Sequence, residues 1–171
     1  VSNDIANTAA DAGVLSSNTT PILQRINAAT DKKLRLNWAA GNVDAVTWDI
    51  TYPPDLDDAA DVTVNILAAM AGATDTPTVA INYFEGVGDT NAGGATAAIT
   101  GTTVALYTRT ITAANIGAAP NAASIELVPG THGTDALFVV GAYVSYSSCW
   151  INRNSSGTPV PFRLEIAAAL E

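Results

Sequence analysis

The segment 45–52 reads Ala-Val-Thr-Trp-Asp-Ile-Thr-Tyr and alternates strictly between large apolar and polar side chains from its second residue onward. One side of the extended chain carries Val46, Trp48, Ile50 and Tyr52, and the other carries Thr47, Asp49 and Thr51. This period of two is typical of a strand with one face on a core and one in solvent. We therefore predict a β-strand here and a protein built from sheets around it.

Segments of the same kind follow one another along most of the chain, with turn residues between them. They contain Leu34, Leu36 and Trp38; Val62, Val64 and Ile66; Val79, Ile81 and Tyr83; residues 95–100 and 103–111; Ile125 and Leu127; residues 136–146; and Phe162, Leu164 and Ile166. Eight or nine strands at this spacing are typical of sandwiches and jelly rolls. No helix able to connect parallel strands fits between them, which excludes a parallel α/β sheet. We predict an all-β fold, with residues 31–171 forming an antiparallel, jelly-roll-like β-sandwich domain.

Residues 1–30 differ from the rest, and we predict that they form an extended N-terminal arm followed by a short helix. Residues 1–19 are rich in Ser, Asn, Asp, Thr and Ala, and their few apolar residues follow no period. Thr20 and Pro21 then provide an N-cap and a proline at the first helical position, and a short apolar stripe follows. Two roles fit this region: covering one open end of the sandwich, or gripping a neighbouring subunit.

Charge and composition exclude several classes of partner. The 171 residues include 16 acidic and 7 basic side chains, for a net charge of −9. Because affinity for phosphate backbones and anionic lipid depends on Lys and Arg, we expect no nucleic-acid partner and no membrane partner. The longest strongly apolar run, residues 136–146, is far shorter than the roughly 20 residues that span a bilayer. The only cysteine, Cys149, excludes an intrachain disulfide and is expected to be a buried thiol.

An acidic loop follows Pro54 and could bind a cation. It contains Asp55, Asp57, Asp58 and Asp61, whose spacing brings several oxygen ligands together as calcium requires. The loop lacks the glycine and the terminal bidentate Glu of a calcium-binding hand. We favour a solvated acidic connection between strands, with Leu56 folded inward to hold it, and calcium binding stays open.

His132 is the only histidine, and it lies in the run Pro-Gly-Thr-His-Gly-Thr-Asp at residues 129–135. With Asp135 nearby and serines at 145, 147 and 148, a hydrolytic triad could be written, but no nucleophile motif anchors one. Glycines close on both sides indicate a tight turn, stabilised by a hydrogen bond from His132 to Asp135 or to a backbone group. We predict that the protein is not an enzyme and assign no catalytic, cofactor-binding or metal-binding residue.

Two runs of sequence resemble a pattern found in small structural proteins of tailed bacteriophages. They are Trp48-Asp49-Ile50-Thr51-Tyr52-Pro53-Pro54-Asp55-Leu56-Asp57 and Leu127-Val128-Pro129-Gly130-Thr131-His132-Gly133-Thr134-Asp135-Ala136-Leu137, the second leading into Gly141 and residues 143–146. The resemblance covers roughly residues 37–148. It implies a jelly-roll capsid decoration, or cement, protein on the capsid surface of a virion, bound to the major capsid protein as a homotrimer or dimer. The family carries no catalytic residues and implies no cofactor.

The alternative is a carbohydrate-binding or receptor-binding sandwich module, as in a phage fibre or an adhesin. Its binding residues would be exposed aromatic rings that stack on sugars, and the candidates are Trp150, Tyr143, Tyr146 and Tyr107. Trp38, Trp48 and Tyr83 fall on the apolar phase of their strands and are expected in the core. Exposure of Trp150 and Tyr107 together in one concave patch would favour this alternative over capsid decoration.

Overall fold

The computed structural model describes residues 21–25, 33–86, 89–117, 122–148, 150–153 and 159–162, with no side-chain detail beyond residue 148. Eleven strands lie in this part of the chain: β1 Ile22–Arg25, β2 Leu34–Trp38, β3 Val46–Thr51, β4 Val62–Met70, β5 Val79–Phe84, β6 Gly94–Ala95, β7 Ala105–Ile111, β8 Ala122–Pro129, β9 Leu137–Ser145, β10 Trp150–Arg153 and β11 Pro159–Phe162. A single 3₁₀ turn, Ala113–Asn115, precedes β8. No helix among the described residues has the length and apolar character to cross a membrane.

Nine of these strands form two antiparallel sheets, which confirms the predicted fold class. One sheet has the order β1-β2-β9-β4-β7 and the other the order β3-β8-β5-β6, while β10 and β11 pair separately. From β2 to β9, the sheets draw four strands each in the interleaved order of a jelly roll. Strand β1 adds a fifth strand at one edge of the first sheet.

The core lies between the two sheets and is built from the residues that alternate inward on both. Trp38, Ile66, Ile81, Tyr83 and Ile125 are all 0% exposed and belong to one cluster. Trp48 is half-buried and packs against that cluster. The alternation in the sequence therefore correctly placed Trp38, Trp48 and Tyr83 in the core or against it. The Trp38 indole N–H also donates to the carbonyl of Asp44, so this buried ring leaves no unpaired polar atom.

The predicted short helix at the end of the N-terminal arm is wrong where the structure describes it. Ile22–Arg25 is a strand, and it pairs antiparallel with β2 from Ile22 opposite Asn37 to Arg25 opposite Leu34. An apolar stripe of so few residues does not distinguish a helix from a strand, and pairing with β2 decides between them. The arm itself, residues 1–20, lies outside the described residues, and the division at residue 30 stays a prediction.

The predicted strands between residues 34 and 146 are confirmed with different lengths, whereas the strand predicted through Phe162, Leu164 and Ile166 lies mostly outside the described residues. The strand expected at residues 95–100 is reduced to Gly94–Ala95. Beyond it, the Thr96 hydroxyl accepts the backbone N–H of Val79 and donates to the carbonyl of Ala97. Near the C-terminus the described strand is Pro159–Phe162. Residues 163–171 and Cys149 lie outside the described residues.

One irregularity interrupts the longest pairing, between β4 and β9. Leu67 lies opposite Gly141 and Ala68 lies opposite Val139, so Val140 is an extra residue on β9. This is a β-bulge, and it reverses which residues of β9 face the core. Leu137 and Val139 face inward before the bulge, and Ala142 and Val144 pack against the core after it.

Candidate functional site

The outer surface of the four-stranded sheet carries several polar side chains that are bonded to one another, with Phe84 and Val128 half-buried on the same side. Ser124 donates to Asp49 across β8 and β3, and Asn82 donates to Glu126 across β5 and β8. Asn91 extends the network by donating to Asn82. Side chains that satisfy each other in this way are typical of a solvated surface, and we do not place a binding site here.

The outer surface of the five-stranded sheet is different, and we call it the Tyr143 face. Strand pairing places on it Ile22, Gln24, Arg35, Asn37, Phe138, Gly141, Tyr143, Ser145, Thr63, Asn65, Leu67, Ala69, Leu106, Thr108 and Thr110. None of these side chains is acidic, although the whole chain carries a net charge of −9. The face therefore combines apolar, hydroxyl and amide groups with little local charge.

Tyr143 is the most prominent side chain of this face. It is 50% exposed and lies directly opposite Asn65 on β4, close to the middle of the sheet. The Asn65 amide is held in place, because its nitrogen donates to the Thr63 carbonyl at 3.0 Å and to the Ser145 hydroxyl at 2.8 Å. The solvent-exposed ring of Tyr143 thus lies beside an amide group that is held by two hydrogen bonds, and hydroxyl groups lie next to it.

Apolar side chains continue the face from Tyr143 toward the other end of the strands. Leu67 lies beside Gly141, since a Cβ atom on that glycine would be 3.6 Å from the leucine methyl group. Leu106 lies opposite Leu67 and is 50% exposed. Leu67 and Asn65 were not among the residues selected from the sequence. Their spacing of two along β4 indicates that they lie on the same side of the sheet.

Phe138, at the far end of the face, does not present an open ring. The guanidinium carbon of Arg35 lies 3.6 Å from the centre of the Phe138 ring, and Arg35 is oriented by a hydrogen bond to Gln24. This cation–π contact covers one side of the ring. Among the described residues of the face, Tyr143 is consequently the aromatic side chain available to a ligand.

The other aromatic candidates do not join Tyr143. Tyr107 lies opposite Ile66, is half-buried and packs against the core, so it faces away from the Tyr143 face. Tyr146 is 38% exposed but follows the end of β9. The side chain of Trp150 lies outside the described residues. A concave patch exposing Trp150 and Tyr107 together would have favoured the carbohydrate-binding alternative, and the packing of Tyr107 against the core does not support one.

His132 lies in the predicted turn, between β8 and β9. It is 0% exposed, and its Nδ1 lies 2.8 Å from the carbonyl oxygen of Gly130, which confirms the expected bond to a backbone group. Asp135 instead accepts the N–H groups of Thr74 and Asp75. No hydrolytic triad is assembled around this histidine.

The Asp75 carboxylate returns these bonds by accepting the N–H groups of Thr134 and Asp135. The two aspartates thus fasten the loop after β4 to the loop before β9. The N–H of Asp135, followed by that of Thr134, lowers the pKa of Asp75 from its ordinary value, because both favour the ionised carboxylate.

Three carboxylates of the acidic loop each accept a hydrogen bond from a different group. Asp55 accepts the Ser148 hydroxyl, Asp57 caps the N–H of Ala59, and Asp61 accepts the N–H of Ala113. Leu56 is 3% exposed, as predicted for the residue that holds the loop. Among the described residues, no group of three or more potential metal ligands comes together.

A pocket of about 320 Å³ opens at one end of the sandwich, between the loops that follow β5 and β7. Tyr83, Glu85, Asp89 and Asn115 contribute its polar lining. Behind it, the Tyr52 hydroxyl donates to Tyr83 at 2.9 Å, and Tyr83 donates to Glu85 at 3.0 Å. Burial raises the pKa of both phenols, so they stay protonated at neutral pH.

Comparison with known proteins gives neighbours by backbone shape only, since no family model and no curated protein matches the sequence. TmCBM61, solved in complex with β-1,4-galactotriose, is 14% identical, with a TM-score of 0.47 over 71% of this chain and 75% of that one. The family 30 carbohydrate-binding module of a Clostridium thermocellum cellulase is 9% identical, with a TM-score of 0.44 over 74% and 82%. The enzymatically active domain of tailspike protein 4 of bacteriophage CBA120 is 12% identical, with a TM-score of 0.40 over 77% of this chain and 17% of that one. Likenesses at this level say nothing about the ligand of this chain.

Proposed function

We propose that this protein is a non-catalytic carbohydrate-binding module and that it binds its ligand on the Tyr143 face. The observation that carries the proposal is the half-exposed ring of Tyr143 on an outer sheet surface without acidic side chains. This was the alternative interpretation of the sequence, and the geometry of the two outer sheet surfaces favours it over capsid decoration.

The chemistry of the face suits a neutral polyhydroxyl ligand. An aromatic ring offers a flat apolar surface to the C–H groups of a sugar ring, while a few placed polar groups fix its orientation. Ser145 and Thr108 present exposed hydroxyl groups on the same side of the sheet. The low local charge favours a neutral glycan over a charged one, because no described cation other than Arg35 faces this surface.

The length of the face favours an oligosaccharide over a single sugar. Tyr143 pairs with Asn65, and Phe138 pairs with Ala69, four residues further along β4. At the usual rise of a strand, this corresponds to about 13 Å. Leu67 and Gly141 lie between these two residue pairs and form a low apolar surface there. A chain of several sugars can therefore contact Tyr143 and Leu67 together.

Binding to a glycan array, followed by titration calorimetry with each hit, tests the proposal. We expect Tyr143→Ala to lower the affinity at least tenfold, because it removes the stacking surface without disturbing the core. Tyr146→Ala is the matched control, since it removes another exposed tyrosine outside the face, and it should leave affinity unchanged. Absence of any glycan hit, or equal loss in both variants, would refute the proposal.

Capsid decoration is the second candidate, and one feature favours it. Leu23 and Leu34 lie on the core-facing side of β1 and β2, yet they are 48% and 55% exposed. These two leucines leave apolar surface at the β1 edge, of the kind that protein partners cover. A lattice of the major capsid protein would suit it, because many weak contacts add up on a repetitive surface.

Binding to undecorated phage heads in a fixed ratio to the capsid lattice tests this candidate. Removal of residues 1–20 keeps β1 in place and should weaken binding if the arm grips a neighbour. Leu23→Ser should also weaken it, whereas Tyr143→Ala should not. Heads that bind neither the full chain nor the truncated chain would exclude decoration of that capsid.

A further inference from the structure

Among the described residues, strand β7 is an exposed edge whose one protecting feature is the inward-turned charge of Arg109. Of the four edge strands in the two sheets, β1 has 4 residues, β6 has 2, β3 has 6 and β7 has 7. Strand β3 carries Asp49 on its outer side, and β1 carries Arg25. Strand β7 contains no proline and no acidic residue. Proteins commonly protect edge strands with charges, prolines or short length, so β7 is open to pairing.

The single charge of β7 does not block the edge. Arg109 turns toward the other sheet, where its guanidinium donates to the carbonyl of Gly93 at 3.2 Å and lies against Gly94. It is half-buried, and the outward side chains of β7 are Leu106, Thr108 and Thr110. The neighbouring strand β4 also lacks charged residues. Two copies can therefore approach along β7 without bringing like charges together, despite the negative charge of the whole chain.

The sequence of β7 is also complementary to itself when it is paired antiparallel about Thr108. In that register Thr108 lies opposite Thr108 of the second copy, and Leu106 lies opposite Thr110. Arg109 lies opposite Tyr107 of the second copy, so two arginines do not lie directly opposite each other. Centring the pair on Arg109 would instead place two guanidinium groups directly opposite each other.

We propose that the protein forms a two-fold symmetric dimer in which β7 of one copy pairs antiparallel with β7 of the other, with Thr108 on the axis. The two five-stranded sheets then form one continuous ten-stranded sheet. A two-fold contact of this kind closes on itself and produces a dimer, the second of the two oligomers, homotrimer or dimer, that the sequence resemblance implied. The proposal stands on the β7 edge and does not depend on the ligand.

One consequence does rest on the proposed carbohydrate function. The two-fold axis is perpendicular to the joined sheet, so both Tyr143 faces point the same way. Five interstrand steps separate the two copies of β9, a distance of about 24 Å. A ligand with repeated sites would be held by both copies at once, which raises its apparent affinity well above that of one face.

Charge substitution on the axis tests the dimer with the full chain. Light scattering after size exclusion should give twice the chain mass for the wild type. Thr108→Lys and Thr108→Asp should each be monomeric, because each places two like charges opposite one another. An equimolar mixture of the two variants should recover the dimer, since Lys then faces Asp. Thr47→Lys, an exposed threonine on the outer side of edge strand β3, is the matched control and should stay dimeric.

Other results would overturn the proposal. They are a monomeric wild type, a trimer, a dimer that survives Thr108→Lys, or a mixture that stays monomeric. Circular dichroism of the variants separates loss of the dimer from loss of the fold. Amide exchange adds an independent measurement: wild-type β7 should be protected more strongly as protein concentration rises, while β3 should not change. Concentration-independent protection of β7 would point instead to cover by the chain's own residues.

Discussion

The buried hydroxyl chain of Tyr52, Tyr83 and Glu85 allows a quantitative test of the fold. The two tyrosines are 3% and 0% exposed, and each donates one hydrogen bond along the chain. Tyr52→Phe removes the first donor and leaves Tyr83 still bonded to Glu85. We expect it to lower the free energy of unfolding by about 1 kcal/mol, the usual net value of one hydrogen bond.

Tyr83→Phe should lower the free energy of unfolding more than Tyr52→Phe does, although each substitution removes a single oxygen atom. It deprives the buried Tyr52 hydroxyl of its acceptor and takes one donor from the Glu85 carboxylate. A buried polar group left without a partner costs about 1–3 kcal/mol, so we expect a loss of about 2 kcal/mol. In the double variant no tyrosine hydroxyl is left unpaired, and the loss should stay near 2 kcal/mol and below the roughly 3 kcal/mol sum. The coupling between the two sites is then about 1 kcal/mol.

Urea unfolding followed by tryptophan fluorescence measures all three values, provided that the slope with urea is unchanged. Tyr143→Phe is the control, because its hydroxyl lies on a half-exposed side chain, and it should shift stability by less than about 0.5 kcal/mol. The reasoning fails if Tyr83→Phe costs no more than Tyr52→Phe, or if the losses in the double variant simply add.

Three further outcomes follow from the same contacts. Burial raises the pKa of Tyr83 in the folded state. The contribution of Tyr83 to the free energy of unfolding should therefore be fully present below the pKa of an unfolded tyrosine, about 10, and fall at higher pH. Tyr83→Phe should flatten this decline in urea titrations at successive pH values. The pKa of Asp75 is lowered by the N–H of Asp135, so its contribution should be present above the unfolded value of about 3.9 and be lost as pH falls, and Asp75→Asn should lower the melting temperature at pH 7 more than at pH 3. A Cβ atom on Gly93 would overlap the backbone of β5, whereas one on Gly133 would meet no heavy atom within 4 Å. Gly93→Ala should therefore cost about 2 kcal/mol or more in thermal unfolding, and a similar loss in Gly133→Ala would contradict the packing described for Gly93.

Strands with an unbroken alternation could be predicted from the sequence. In β3 and β5 every second side chain is large and apolar, and the structure buries or half-buries those residues. The segment that begins at Ile22 was too short for its period to be recognised. Its conformation depends on pairing with β2, and the residues of the segment itself do not indicate that pairing. The orientation of Tyr107, a candidate exposed ring, was hard to predict because its inward neighbours on β7 are Ala105 and Arg109, which are not typical core residues. Ile111 is the one large aliphatic residue that marks the buried side of this strand.

Tyr143 was selected from the sequence as a candidate exposed ring, and the structure confirms its exposure. The sequence could not provide the reason for that exposure or the neighbours of the ring. A strict period of two counted from Leu137 through Val139 places Tyr143 in the core, and the bulge at Val140 turns it outward. Nothing local in residues 137–145 indicates the bulge, since it arises from how β9 pairs with β4. The surface around Tyr143 therefore became visible only when the pairing of the two strands was known.

The extra residue in β9 bears on how this strand tolerates insertions and deletions. Loss of the single codon for Val140 would remove the bulge, and plain alternation after Val139 would still turn Tyr143 and Ser145 outward and Ala142 and Val144 inward. Insertion of one more residue at the same place would turn Tyr143 inward, unless a wider bulge absorbed it. Descendants of this chain with a straight β9 one residue shorter should therefore keep the same outward ring, and that ring is best located by its pairing with β4.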